Sequence, residues 1–183
     1  MSIFDAIFSR RGKLNVTPQK TEPTIVMPDA PTQEYASLLH FTQSFNSLLQ
    51  ADKYLARSDY RQMIDDYAEI NTFFANLKTA KTLGYYCSAN GIQEDAIESF
   101  LHNYSDLANL KEGSIGIQQH NHSFLQRHLE TDKHYLDTVL SKVDPAISLD
   151  EEQRKVVLTD EDYMLVVAGA GAGKTTTVAA KVK

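Results

Sequence analysis

Residues 168–175 read Ala-Gly-Ala-Gly-Ala-Gly-Lys-Thr, and no other stretch of the chain restricts its folding so tightly. Six consecutive residues with a methyl group or less leave the backbone bare, and several must be free to adopt positive φ, which glycine does at little steric cost. Backbone N–H groups laid bare in this way can converge on the oxygens of an anion. The spacing is that of a phosphate-binding loop, with Ala168 in the first glycine position. In such a loop Lys174 brings a cation to the terminal phosphates, the Thr175 hydroxyl reaches Mg²⁺, and the next helix points its positive end at the anion. The loop has to join a strand to a helix. Tyr163-Met164-Leu165-Val166-Val167 is a continuous apolar run, as suits a strand buried on both faces of a parallel sheet. The first strand–loop–helix of a P-loop α/β domain is therefore expected from Tyr163 onward.

The rest of the chain reads differently. Residues 12–32 contain Pro18, Pro23, Pro28 and Pro31 without lasting periodicity, as in a linker; before them Ser2 to Ser9, followed by Arg10 and Arg11, makes at most a short amphipathic turn. Residues 1–32 are expected to be an N-terminal segment and linker. From Gln33 the apolar spacing becomes helical, with Thr32 as N-cap and Leu38, Phe41, Phe45 and Leu48 on one face. A second, long helix is expected from an N-cap at Ser58, with Tyr60, Met63, Tyr67, Ile70, Phe74 and Leu77 forming a heptad seam that fades towards Gly84 and stops at Asn90-Gly91. A third runs from about Ile92 to Leu110 with Ile92, Ala96, Ile97, Phe100, Leu101, Tyr104 and Leu107 facing inward. A fourth, from about Ile117 to Val143, carries Leu125, Leu129, Leu136, Val139 and Val143, and Pro145 blocks its continuation. Four amphipathic helices predict an all-α accessory region over 33–145, as a bundle or hairpins. Beyond it, Asp150 caps a short helix to Leu158, with Gln153 placed for a capping box.

Leu149-Asp150-Glu151-Glu152-Gln153-Arg154-Lys155-Val156-Val157, a short turn, the apolar run and the loop through Thr176 together resemble the start of the motor domain of UvrD/Rep-like superfamily 1 DNA helicases, most closely the helicase IV branch. The resemblance covers roughly 147–183. It implies a mainly α chain: helical bundle or hairpins, then the truncated beginning of a RecA-like α/β domain. It implies ATP and Mg²⁺ as cofactors. Ala168, Gly169, Ala170, Gly171, Ala172, Gly173, Lys174, Thr175 and Thr176 would cradle the phosphates, with Lys174 and Thr175 catalytic and Thr175 on the metal. Gln153 would be the Q-motif glutamine that reads adenine, a task suited to a carboxamide because it both donates and accepts; closing the capping box with Asp150 is compatible with that role. Ala172 replaces the serine of many members and still permits close phosphate approach. The activity implied is ATP-driven translocation on single-stranded DNA and duplex unwinding.

No Walker B acidic pair follows the loop, so the chain is expected to be an N-terminal fragment or incomplete reading of a longer helicase, inactive alone, with DNA contacts in missing downstream domains. A reading from another class makes the helical region a protein-interaction module, for example one that engages RNA polymerase, beside a vestigial P-loop.

Charge and residue chemistry narrow the remaining classes. The formal charge is −6; residues 1–32 count +1, 33–150 count −7, and 151–183 are neutral, so the helical region is poorly suited to gripping DNA by itself. One cysteine, Cys87, excludes an intrachain disulfide and reads as a packed residue rather than a nucleophile. No apolar run is long enough to span a membrane, and a cytoplasmic setting is expected. His120, His122, His128 and His134 do not share metal-ligand geometry on a helix and are expected on a solvated, mixed-polarity face. Tyr85-Tyr86, without interleaved Arg or Lys, is expected to pack in the bundle rather than stack on bases. Asp65-Asp66 and Glu94-Asp95 are expected as exposed helix charges.

Overall fold

The computed structural model describes residues 32–109, 111–141 and 145–182. The linker, the N-terminal amphipathic turn and Val143 lie outside them.

Helix α1 (Gln33–Leu49) begins where the sequence predicts: the Thr32 hydroxyl accepts the Tyr35 N–H at 3.2 Å, and Leu38, Phe41 and Phe45 are buried. Phe41 is fully enclosed and forms the hub of the core. Its ring meets Phe100 edge-on at 4.9 Å and Tyr67 at 5.2 Å, and lies parallel to Phe45 at 5.8 Å.

The long second helix is instead three: α2 (Arg57–Asp66), α3 (Ala68–Thr79) and α4 (Leu83–Asn90). The inward stripe is as expected, since Phe74 is buried and Tyr60, Met63, Tyr67, Ile70 and Leu77 pack against the same core. The first break falls at Tyr67 (φ −107°, ψ 9°), whose ring lies against Phe41 and whose hydroxyl meets His40 Nδ1. The second is a Schellman turn at Lys81 (φ 58°): Thr82 N–H reaches Leu77 O at 3.0 Å and Lys81 N–H reaches Lys78 O at 3.1 Å. A lysine in the left-handed position gives no sequence warning. The Asn90-Gly91 stop is present, with Gly91 at φ 65°.

Ser58 is not the cap of α2. Ala56 holds that position, and its N–H donates to Asp59 at 2.8 Å; Ser58 lies in the first turn and donates both N–H and hydroxyl to Asp162.

Helix α5 (Glu94–Leu107) buries Ile97, Phe100, Tyr104 and Leu107. Its Asp106 carboxylate serves the next helix, accepting from the Ser114 hydroxyl and from the N–H groups of Ile115 (2.8 Å) and Gly116 (3.1 Å). Burial pushes that carboxyl up, but these donors outweigh it and hold it below its usual range. The expected fourth helix divides at Asp132 (φ −95°, ψ 11°) into α6 (Ile115–Thr131) and α7 (Lys133–Thr138), where the Asp132 carboxylate bonds back to His128 Nδ1 at 2.6 Å. Within α6 the buried Asn121 bonds both main-chain groups of Leu55, accepting its N–H at 2.8 Å and donating to its carbonyl at 2.9 Å.

Two histidines expected to be solvated are connectors instead. His120 faces the Leu49 and Lys53 carbonyls (3.0 and 2.9 Å), and His128 bridges Asp132 and Asp52. Tyr86 packs against Phe73 and Phe74, whereas Tyr85 is exposed. Cys87 is buried, and burial raises its thiol pKa. Asp65, Asp66, Glu94 and Asp95 are exposed.

After the helical region come α8 (Glu151–Leu158) and α9 (Lys174–Val182), which pack on each other, with α8 also against α6. A second, smaller core joins Val139 and Leu140 to Leu149 and Ala180. Residues 163–167 depart from expectation, because no β-strand occurs among the described residues. A strand is defined by its ladder partner, and none lies beside this run. Tyr163, Leu165 and Val167 are therefore largely exposed instead of buried on two faces.

Candidate functional site

The site is assembled from α8, the loop and the first turn of α9. Gly171 (φ 81°) and Gly173 (φ 71°) take the left-handed conformation that the octet predicts. A Cβ added at Gly169 or Gly171 would meet nothing within 4 Å, so the small residues leave open space over the loop. An Ala172 N–H to Gly169 O bond of 3.3 Å closes the turn, and the Thr177 N–H bonds Gly173 O at 2.9 Å as α9 begins.

Lys174 is exposed, and its ammonium group donates to the carbonyls of Ala168 (2.8 Å) and Gly169 (2.7 Å), which arches the side chain back over the loop. Thr175 is exposed and Thr176 half-buried at the same helix start. The buried Thr177 turns its hydroxyl to Gly173 O at 3.1 Å, an internal helix contact.

Gln153 joins this loop across nineteen residues. Its Oε1 accepts the Asp150 N–H at 3.0 Å, the Asp150 carboxylate accepts the Gln153 N–H at 2.8 Å, and Nε2 donates to Ala172 O at 3.2 Å. The capping box and the approach to the loop thus coexist. Gly173 makes room for the contact, because a Cβ there would lie 2.6 Å from Gln153 Nε2. A cavity of ≈ 420 Å³ opens beside these groups, lined by Asp150, Gln153, Val167, Ala168, Ala172 and Lys174 among others.

Four side chains that fix the site were not singled out in the sequence. Lys181, on α9, donates to the Val156, Val157 and Thr159 carbonyls at the C-terminal end of α8, where a cation suits the helix dipole. Arg154 bonds Leu149 O at 2.8 Å and pairs with Asp137, tying α8 towards α7. Asp162 receives the first turn of α2, while Glu161 accepts the Tyr54 hydroxyl at 3.0 Å. Burial and then the Glu161 carboxylate push the Tyr54 pKa up to about 12. Only long-range contact reveals these roles; a lysine late in a helix and acids in a turn look ordinary in sequence.

The residues brought together fit a nucleoside triphosphate. Bare glycines at positive φ, open space above the loop, an ammonium group, a helix start and an amide at the cavity wall are the groups that phosphates and a base require. For Mg²⁺ the fit rests on one hydroxyl, that of Thr175. Among the described residues no group of three or more His, Cys, Asp or Glu side chains is placed to hold a metal ion. None of the helices described is long and apolar enough to cross a membrane.

Residues 149–183 match the family model of the UvrD/REP helicase N-terminal domain, a stretch that takes in α8, the loop and α9. Neither a curated protein nor a solved structure matches the chain.

Proposed function

From a segment that matches the UvrD/REP helicase N-terminal domain, we propose that residues 147–183 form the base- and phosphate-binding part of an ATP site, and that this site serves an ATP-driven DNA helicase whose remaining motor and DNA-binding groups lie outside these residues. The observation that carries this reading is the arrangement of Lys174 over a loop with left-handed Gly171 and Gly173, with Gln153 held against the same loop.

In this reading the loop amides and Lys174 hold the β- and γ-phosphates, and Thr175 supplies a hydroxyl to Mg²⁺. Lys174 needs only side-chain rotation to exchange two neutral carbonyls for phosphate oxygens, a stronger, charge-assisted contact. Gln153 reads the adenine edge. The bound metal would neutralise charge developing on the phosphates. Residues 163–167 are proposed as the first strand of a RecA-like sheet, which their apolar character suits. Single-stranded and duplex DNA are the proposed substrates, residues 33–145 an accessory helical region, and the cytoplasm the proposed setting.

The test is equilibrium binding of a fluorescent ATP analogue to the full chain. Lys174→Ala is expected to weaken it by about 10-fold or more, the range for losing a charged hydrogen-bonding group. Unchanged affinity would refute the reading.

A second reading, a helical protein-interaction module, is favoured by one observation: the core centred on Phe41 is distinct from the small core under α8 and α9. Capture of a protein partner by the full chain, unaffected by Lys174→Ala, would support it.

A further inference from the structure

The amide of Gln153 is held at both ends by main-chain groups. The Asp150 N–H donates to Oε1 and the Ala172 carbonyl accepts from Nε2. These partners permit only one orientation, because an N–H cannot donate to an amide NH₂ and a carbonyl cannot accept from a carbonyl. Turning the amide over would break both bonds and set like poles against each other. The Asp150 carboxylate reinforces the arrangement by accepting the Gln153 N–H, which keeps the first turn of α8 wound beneath the side chain.

Resting on the adenine-reading role of Gln153, we propose that the main chain of Asp150 and Ala172 locks the polarity of this amide, so that the site selects adenine over guanine, with Asp150 as a positioning residue. Once the two bonds are made, Oε1 retains a lone pair and Nε2 a proton. Adenine offers a matching pair on one edge, an amine at position 6 and an acceptor at N7; guanine carries an oxygen at position 6. The locked Oε1 would face that oxygen. An amide free to turn presents its N–H to the guanine oxygen instead, and discrimination is lost. Base choice is thereby tied to loop shape, since Ala172 lies within the loop and Gly173 alone leaves space for the amide.

The experiment titrates fluorescent ATP and GTP analogues into the full chain and into Asp150→Asn, Asp150→Ala and Asp150→Pro, with folding checked by circular dichroism. Asparagine keeps both the cap and the N–H. Alanine keeps the N–H and loses the cap. Proline loses both, and the φ of −73° at Asp150 suits its ring. Wild type and Asp150→Asn are expected to prefer ATP by about 10-fold or more, as when a polar partner is left unpaired. In Asp150→Pro, where the Ala172 carbonyl alone still orients the amide, the ratio should fall by about 5-fold through loss of ATP affinity, with Asp150→Ala lower than wild type by about 2-fold. An unchanged ratio in a folded Asp150→Pro variant, or in Asp150→Ala should the proline variant unfold, overturns the lock while leaving nucleotide binding intact. Absence of binding by wild type, or binding indifferent to Lys174→Ala, overturns the nucleotide site itself and the lock with it.

Discussion

Replacing Asn121 by alanine removes one side chain and strands two main-chain groups. Leu55 is 1% exposed and Asn121 7%, so neither the Leu55 N–H nor its carbonyl can turn to bulk water when the amide is gone. Their present partners lie at 2.8 and 2.9 Å, both good hydrogen bonds. A buried group left unsatisfied costs ~1–3 kcal/mol, so two of them predict a loss of about 2–6 kcal/mol. Entry of one water into the vacated volume would place the result at the lower end. Asn121→Asp separates the two bonds, since it keeps an acceptor for the N–H but sets a carboxylate against the carbonyl; it should be at least as destabilising at neutral pH and recover as pH falls. The assay is urea denaturation followed by circular dichroism and tyrosine emission, a signal that no tryptophan obscures in this chain. A loss below about 0.5 kcal/mol, typical of an ordinary surface substitution, would refute the reasoning.

The remaining predictions concern protons, the loop and its mooring. The hydrogen bond to Asp132 raises the His128 pKa from its ordinary 6.5, against a smaller opposing effect of burial and with help from Asp52, which also pairs with Arg127. A raised folded-state pKa means the contribution is fully present below 6.5 and lost as pH rises through the folded value; His128→Gln should flatten that part of the stability–pH curve, and an unchanged difference between pH 5.5 and 8 would contradict this. Gly173→Ala forces a left-handed alanine at ~1–2 kcal/mol and drives a methyl into the Gln153 amide, so it should weaken ATP-analogue binding, whereas Gly169→Ala meets open space and should shift thermal stability little; equal effects would argue against the loop geometry. Arg154→Ala cuts the tie to Asp137 and to Leu149 O, and hydrogen exchange in α8 and α9 should quicken while α1 and α5 keep their protection.

The elements legible in sequence are those whose instructions are local. Thr32 and the Asp150–Gln153 pair announce helix starts three residues in advance, and both are found. The loop was legible too, because positive φ and absent side chains are properties of the residues themselves. Breaks at Tyr67, Lys81 and Asp132 were not. Those at Tyr67 and Asp132 interrupt an apolar stripe, that at Lys81 falls where the seam fades, and each depends on packing or on a left-handed residue that is not glycine. Ser58 misled because a hydroxyl before an apolar stripe looks like a cap, whereas its partner lies 104 residues away. Asn121 and Lys181 were invisible for the same reason: their partners are backbone groups on distant segments. The run from Tyr163 to Val167 has strand character in its side chains, but strandedness belongs to a pair of segments and no single run can confer it.

Asp162 is fastened to the first turn of α2, and Lys181 is fastened to the far end of α8. The stretch between them resembles a footbridge with both abutments set in masonry, so that neither end can drift. Chain closure has already been met by the fold, so a guest settling on the span has fewer backbone states to freeze than on a free tail of equal length. Loads applied at mid-span are carried into two different helices, and the helical body is thereby placed to feel what happens at the glycines.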